Sequence, residues 1–192
     1  MPGLIPWGIW AASGAGSGGV SGAYELISTT ILGADTNSVT FSGLGTSAAS
    51  YRHLQIRVTA RSSNGAVGDS LGLRFNSDSG SNYAEHVLYG NGSSAASGAG
   101  TSQTFMSAMT MAGNSASANI FGSGIIDILD FSQTTKNKVL RSLSGNQAQP
   151  FVQLRSGLWM STAAITSINL FSANGATNLL TGSRFSIYGL KG

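Results

Sequence analysis

His53 and His86 are the two side chains best suited to proton transfer near neutral pH, and the chain has no other histidine. His53 sits on the polar side of an alternating stretch and reads as a surface or interface residue. His86 lies beside Glu85. A serine nucleophile would need a histidine within hydrogen-bond reach and a carboxylate behind it, and nothing in this serine-rich chain reads as a nucleophile elbow. Asp127 and Asp130 are the close acid pair, but three positions apart on a strand they face opposite ways. They therefore do not make the paired carboxylates of a glycosidase. Asn76-Ser77-Asp78-Ser79-Gly80 has the flavour of a calcium loop, yet too few acids, and Glu85 falls two residues short of the bidentate position. It reads as a structural turn. With no cysteine there is no disulfide framework and no thiolate ligand or nucleophile. No cofactor, no metal site and no enzymatic reaction are expected.

Two segments look like sites and are read otherwise. Gly14-Ala15-Gly16-Ser17-Gly18-Gly19 matches the spacing of a dinucleotide loop, but Pro2 and Pro6 spoil a preceding strand and Val20-Ser21-Gly22-Ala23 does not open a helix. The leading MPGLIPWGIW is apolar, yet Pro6 and Gly8 interrupt it and the first basic residue is Arg52, unlike a secretory signal. The run is also too short to span a bilayer, and no membrane partner is expected. Trp7 and Trp10 belong to this stretch. Trp159, in a strand, reads as core or interface.

The elements around these residues are strands. His53–Arg61 alternates, with Leu54, Ile56, Val58 and Ala60 on one face and His53, Gln55, Arg57, Thr59 and Arg61 on the wet face. Further strands are expected at Tyr24–Leu32, Ser38–Phe41, Leu71–Phe75, Tyr83–Tyr89, Gln103–Met111, Ala118–Phe131, Lys138–Ser144, Phe151–Trp159, Ile165–Phe171 and Arg184–Leu190. Gly90–Gly100, almost wholly Gly, Ser and Ala, reads as a long loop. Ser132–Lys136 is the best place for a turn or two of helix. About ten short strands separated by turn signals indicate an all-β fold, an antiparallel sandwich of jelly-roll type.

Composition narrows the partners. Charged residues are 9% of the 192, against about 25% in an average domain. The net charge is only +3 and the arginines are scattered, so nucleic-acid binding, which needs clustered cations, is not expected. Isolated β-proteins guard their sheet edges with Lys, Pro or inward charge. A chain this poor in charge fits a surface covered by neighbours.

The chain therefore reads as two regions. Residues 1–23 form a docking arm with a Gly/Ser hinge, and residues 24–192 form the sandwich. Leu4, Ile5, Trp7, Ile9 and Trp10 are the candidate partner-binding residues. Burying five such side chains yields roughly 8–15 kcal/mol gross, and ordering about ten residues costs about 1–2 kcal/mol each. One arm is marginal, and several arms on one oligomer bind tightly.

The segments YRHLQIRVTARSS, LRFNSDSGSNYAEHVLYGNGSS, SGIIDILDFSQTTKNKVLRSLSG and ITSINLFSANGATNLLTGSRFSIYGLKG resemble accessory structural proteins of tailed bacteriophages, over residues 24 to 192. RFSIYGLKG is the most specific part. The resemblance implies a jelly-roll sandwich, a homotrimer or other homo-oligomer, no cofactor, and a place in the virion, assembled in the host cytoplasm. It implies a head decoration or cement protein whose partner is the major capsid protein or another virion protein. The alternative within the same group is a tail fibre or tip that binds host glycan, through the Gly90–Gly100 loop and aromatic residues.

Overall fold

Alternation of apolar and polar residues becomes twelve strands and one short helix in a computed structural model that describes residues 23–192. In chain order these are β1 (Glu25–Ile31), β2 (Ser38–Phe41), α1 (Leu44–Ser47), β3 (His53–Ala60), β4 (Gly68–Phe75), β5 (Tyr83–Gly90) and β6 (Ala95–Gln103). There follow β7 (Met106–Ala112), β8 (Gly122–Leu129), β9 (Lys138–Asn146), β10 (Phe151–Trp159), β11 (Ile168–Ser172) and β12 (Arg184–Leu190). All strand pairs are antiparallel. They build an eight-stranded sheet in the order β1-β12-β3-β8-β9-β10-β5-β6 and a four-stranded sheet in the order β2-β11-β4-β7. The two sheets pack as a sandwich, as the sequence predicts. The chain crosses between sheets at most connections, while the β5–β6 and β9–β10 hairpins widen the larger sheet.

The core lies between the sheets. Leu54, Ile56 and Val58 of β3, Ile126 and Ile128 of β8, and Phe185 and Ile187 of β12 meet Val39, Phe41, Leu71, Leu73, Phe75, Ile168 and Leu170 from the smaller sheet. Trp159 closes one end, stacked on Tyr83 and tilted against Phe75. Gly157 permits the close approach there, since a Cβ on it would lie 2.5 Å from the Met106 sulfur. Burial pushes the Tyr83 phenol up to about 12.

Four expectations need correction. Gly90–Gly100 is not a loop. Asn91 Oδ1 accepts from the Ser93 and Ser94 amides at 3.1 and 2.8 Å, and the hairpin continues into β6, whose backbone pairs with β5. Ala, Ser and Gly have little strand preference of their own, and the partner strand overrides it. Ser132–Lys136 is a turn, because one helical turn is too costly to nucleate without packing. The helix forms instead at α1, anchored by buried Leu44. Arg61 is not on a wet face. It is buried, and its guanidinium donates to the carbonyls of Ser117 (2.7 Å), Ala116 (2.8 Å), Ile120 (3.1 Å) and Asn114 (3.2 Å), tying down the β7–β8 connection. Gln55 faces outward but is 5% exposed, covered by Arg57 and Asp127.

The β9–β10 hairpin reverses the usual polarity. Lys138, Ser142, Ser144, Asn146, Gln153 and Arg155 point inward and are buried, whereas Val139, Leu143, Val152 and Leu154 point outward and are exposed. The reason is β7, the edge strand of the smaller sheet. Its free backbone groups need partners. Ser142 Oγ donates to Ala108 O at 2.5 Å, Asn146 Nδ2 to Met111 O at 3.0 Å, and the Ser107 amide to Glu85 Oε2 at 2.6 Å. Thr110 Oγ1 donates to Gln153 Oε1 at 2.8 Å. Lys138 donates to the carbonyls of Lys136 and Thr162, and burial holds its amine below the usual lysine range.

Candidate docking surface

The outward leucines line up. Across the larger sheet, strand register sets Arg57 of β3 opposite Ile125 of β8, Ile125 opposite Leu143 of β9, Leu143 opposite Leu154 of β10, and Leu154 opposite Leu88 of β5. Ile125, Leu143, Leu154 and Leu88 are 42%, 57%, 53% and 55% exposed. Val152, two residues from Leu154 on the same face, extends the strip. Among the described residues, every exposed large apolar side chain that lies in a strand belongs to this sheet. Arg57, Val58, Ile125, Leu143 and Val152 contribute to the walls of a shallow groove of about 490 Å³ along the strip.

A polar row flanks it. Gln55, Asp127, Arg141, Ser156 and His86 are register partners across the same five strands. Arg57 Nε donates to Gln55 Oε1 at 3.0 Å, Gln55 Nε2 to Asp127 Oδ1 at 2.8 Å, and Arg141 Nε to Asp127 Oδ2 at 3.3 Å. The Arg57 guanidinium also lies over the rings of Tyr188 and Tyr24, at 4.7 and 5.2 Å. An apolar centre beside a hydrogen-bonded polar border is the anatomy of a protein–protein contact.

The chemistry weighed in the sequence does not converge. His53 and His86 lie on β3 and β5, separated by β8, β9 and β10. His53 Nδ1 accepts the Asp130 amide at 2.9 Å, and His86 is exposed beside Ser156 and Ala99. Asp127 and Asp130 serve different partners. Asp130, at φ 48° just past β8, is held by Lys136 and by Arg52 Nε at 2.8 Å. The Lys136 hydrogen bond first, and the Arg52 bond next, bring its carboxyl down to about 2. In the Asn76–Gly80 turn, Asp78 accepts Trp159 Nε1 at 2.7 Å, the Gly80 amide at 2.8 Å and Asn82 Nδ2 at 3.0 Å. Those bonds, Trp159 first, hold its carboxyl below the usual range. The turn is structural, and its carboxylate serves to anchor the core tryptophan.

One pattern escapes a reading of the sequence for nucleophile elbows. Gly68-Asp69-Ser70-Leu71-Gly72 has the letters of a nucleophile elbow. It runs along β4 with no strand-to-helix turn, in the sheet that holds neither histidine. Asp69 is bonded to Ser172 and Asn174. No group of three or more His, Asp or Glu side chains among the described residues could hold a metal ion, and no described helix is long and apolar enough to cross a membrane. Leu4, Ile5, Trp7, Ile9 and Trp10 lie outside the described residues.

The sequence reading missed the strip because its members sit in four different strands and only register unites them. Outward Val139 and Leu143, alternating with small polar Ser142 and Ser144, are the one local signal that β9 faces outward with its apolar side. No protein-family model and no curated protein matches the chain.

Proposed function

We propose that this chain is a structural component of a bacteriophage particle, a decoration or cement protein that docks on a capsid or neighbouring virion protein and catalyses nothing. The observation that carries the reading is the exposed Ile125–Leu143–Leu154–Leu88 strip with its polar border. Surface patches of this kind mark interaction sites. The low charge of the chain and the edge strand β6, AASGAGTSQ, with no Lys, Pro or acid to discourage pairing, support it as well. The interleaved strand order is read as a jelly roll enlarged by two hairpins, in line with the resemblance to phage accessory proteins.

Covering five half-exposed side chains yields roughly 5 kcal/mol, at about 1 kcal/mol for half of each. Association costs about 4–15 kcal/mol. One strip does not hold a subunit alone, so the reading requires several contacts per assembled unit, with the side chains Leu4, Ile5, Trp7, Ile9 and Trp10 as the second set and a homo-oligomer as the unit. Protein analysis and imaging of purified particles test this. The reading expects the chain at a fixed copy number on the particle, with the strip against another protein. Finding the chain in infected cells but not in particles overturns it.

A further inference from the structure

The larger sheet ends at β6, and that edge fits a second copy of itself. We infer that two chains pair antiparallel through β6, about a two-fold axis that sets Ser97 opposite Ser97 of the second copy. The inference deepens the reading of the chain as an oligomeric building block, and rests on it only in taking the unit to hold more than one chain. It names the strand that makes the unit and the symmetry of the contact.

Three observations carry it. The first is the state of the sheet edges. The larger sheet ends in β1 and β6, the smaller in β2 and β7. β7 is covered by side chains of β9 and by Glu85 of β5. β2 has four residues, and β1 starts at Glu25 and shifts register between Leu26 and Ser28. β6 is nine residues long, carries no charge and no proline, and among the described residues pairs with β5 alone. The N–H and C=O groups along its far side are a template for another strand. Charges in β6 would repel an identical strand laid against it, and it has none.

The second is space. Ser97 is the register partner of outward Leu88, so Ala95 and Ala99 share its face. All three are exposed, and so is Gly98 on the opposite face. A second strand meets no bulky side chain on either side. Ser102, at φ 53°, lies where the β5–β6 register shifts, so the straight run is Ala95–Gly100. Opposed residues of an antiparallel pair share a face, so the axis passes through a residue and not between two. At Ser97 it pairs Ala95 with Ala99 on both sides and opposes two serine hydroxyls, which can hydrogen-bond across the strands. The third is continuity. Ser97 ends the row Ile125–Leu143–Leu154–Leu88. Pairing about Ser97 carries that row into the same row of the second copy, with the two Leu88 residues three strand spacings apart, about 14 Å at roughly 4.8 Å each. Both strips then lie on the same side of one continuous sheet. The dimer offers two strips to one partner surface and so supplies the several contacts per unit that a single strip lacks.

Sedimentation equilibrium of the full chain over a range of concentrations tests this. Wild type is expected to form a reversible dimer. Ser97→Lys and Ser97→Glu change an exposed position, so each should keep the wild-type urea midpoint. Each should also raise the dimer dissociation constant at least tenfold, because like charges then oppose each other across the axis. Mixing the two variants should restore association, since the opposed charges are then unlike. A wild-type chain that stays monomeric up to its solubility limit overturns the inference. So does a trimer as the end state, or charged variants that associate as wild type does. Cysteine placement checks the position, because the chain has none of its own. Opposed Cα atoms lie about 4.5–5.5 Å apart, within disulfide range. Ser97→Cys should oxidise to a covalent dimer at least tenfold faster than Ser156→Cys, which is exposed on the same face two strands inboard. Equal rates overturn the contact through β6. Particle binding by the wild-type chain is scored separately. A dimer that does not join particles removes the virion reading and leaves the β6 contact, whereas a monomer that joins them removes the β6 contact alone.

Discussion

Strands β3 and β9 lie in one sheet, separated by β8, and they are built inside out relative to each other. In β3 the aliphatic residues Leu54, Ile56 and Val58 face the smaller sheet and the polar residues face out. In β9 Ser142, Ser144 and Asn146 face in, and Val139 and Leu143 face out. What differs is the opposite wall. Over β3 that wall is the aliphatic side of the smaller sheet. Over β9 and β10 it is the edge of β7, whose carbonyls and amide require polar partners. A sheet of eight strands overhangs one of four, and the overhang is where a polar interior and an apolar exterior coexist. The apolar exterior of the overhang is the candidate docking surface.

Substitutions test that contrast. The largest loss is expected at the polar interior. Glu85 bonds the Ser107 amide and lies 3.6 Å from Arg155. Glu85→Ala leaves the guanidinium, already lowered by burial, without its counter-charge. That should cost about 3–5 kcal/mol in urea unfolding. Glu85→Leu combined with Arg155→Met should cost clearly less, because no buried charge is left over. If the single and double variants lose the same stability, β9 and β10 do not depend on a balanced polar interior. Next comes Ile56→Ala in β3, expected to cost about 2–4 kcal/mol as a cavity in an aliphatic core. Leu143→Ala and Leu154→Ala, equally apolar but outward, should stay within about 0.5 kcal/mol of wild type in the same measurement. A loss near that of Ile56 would mean that these leucines hold the body together and are not its docking face.

Asp130 gives a small effect with a pH signature. Its folded carboxyl sits at about 2, below the ordinary 3.8. A depressed value stabilises the folded state above the unfolded one, so the contribution is complete above about pH 4 and lost as pH falls through about 2. Its partners Arg52 and Lys136 are largely exposed and screened by salt. Asp130→Asn should lower Tm slightly at pH 7, and the two proteins should converge near pH 2. A gap that persists at pH 2 would show that the charge of Asp130 is not what stabilises the fold.

Much of the fold is legible in the chain. Ser38–Phe41, Phe151–Trp159 and Arg184–Leu190 fold as strands over the ranges expected from the sequence. β6 is not legible, since Ala, Ser and Gly take the conformation its neighbour imposes. Arg61 misleads because it follows the polar rhythm of β3 one residue past the strand, where the chain has already turned in toward the β7–β8 connection. The strip escapes for a different reason. Ile125, Leu143, Leu154 and Leu88 are individually ordinary, and their shared row follows from pairing alone.

The most direct measurement is particle binding by a full-length Leu143→Asp/Leu154→Asp variant, beside its urea midpoint. The charges enter exposed positions, so the midpoint should match wild type, and binding to particles lacking the native chain should fall at least tenfold. A variant that binds as well as wild type, with its fold intact, would contradict the assignment of this face as the surface through which the protein is built into a larger structure.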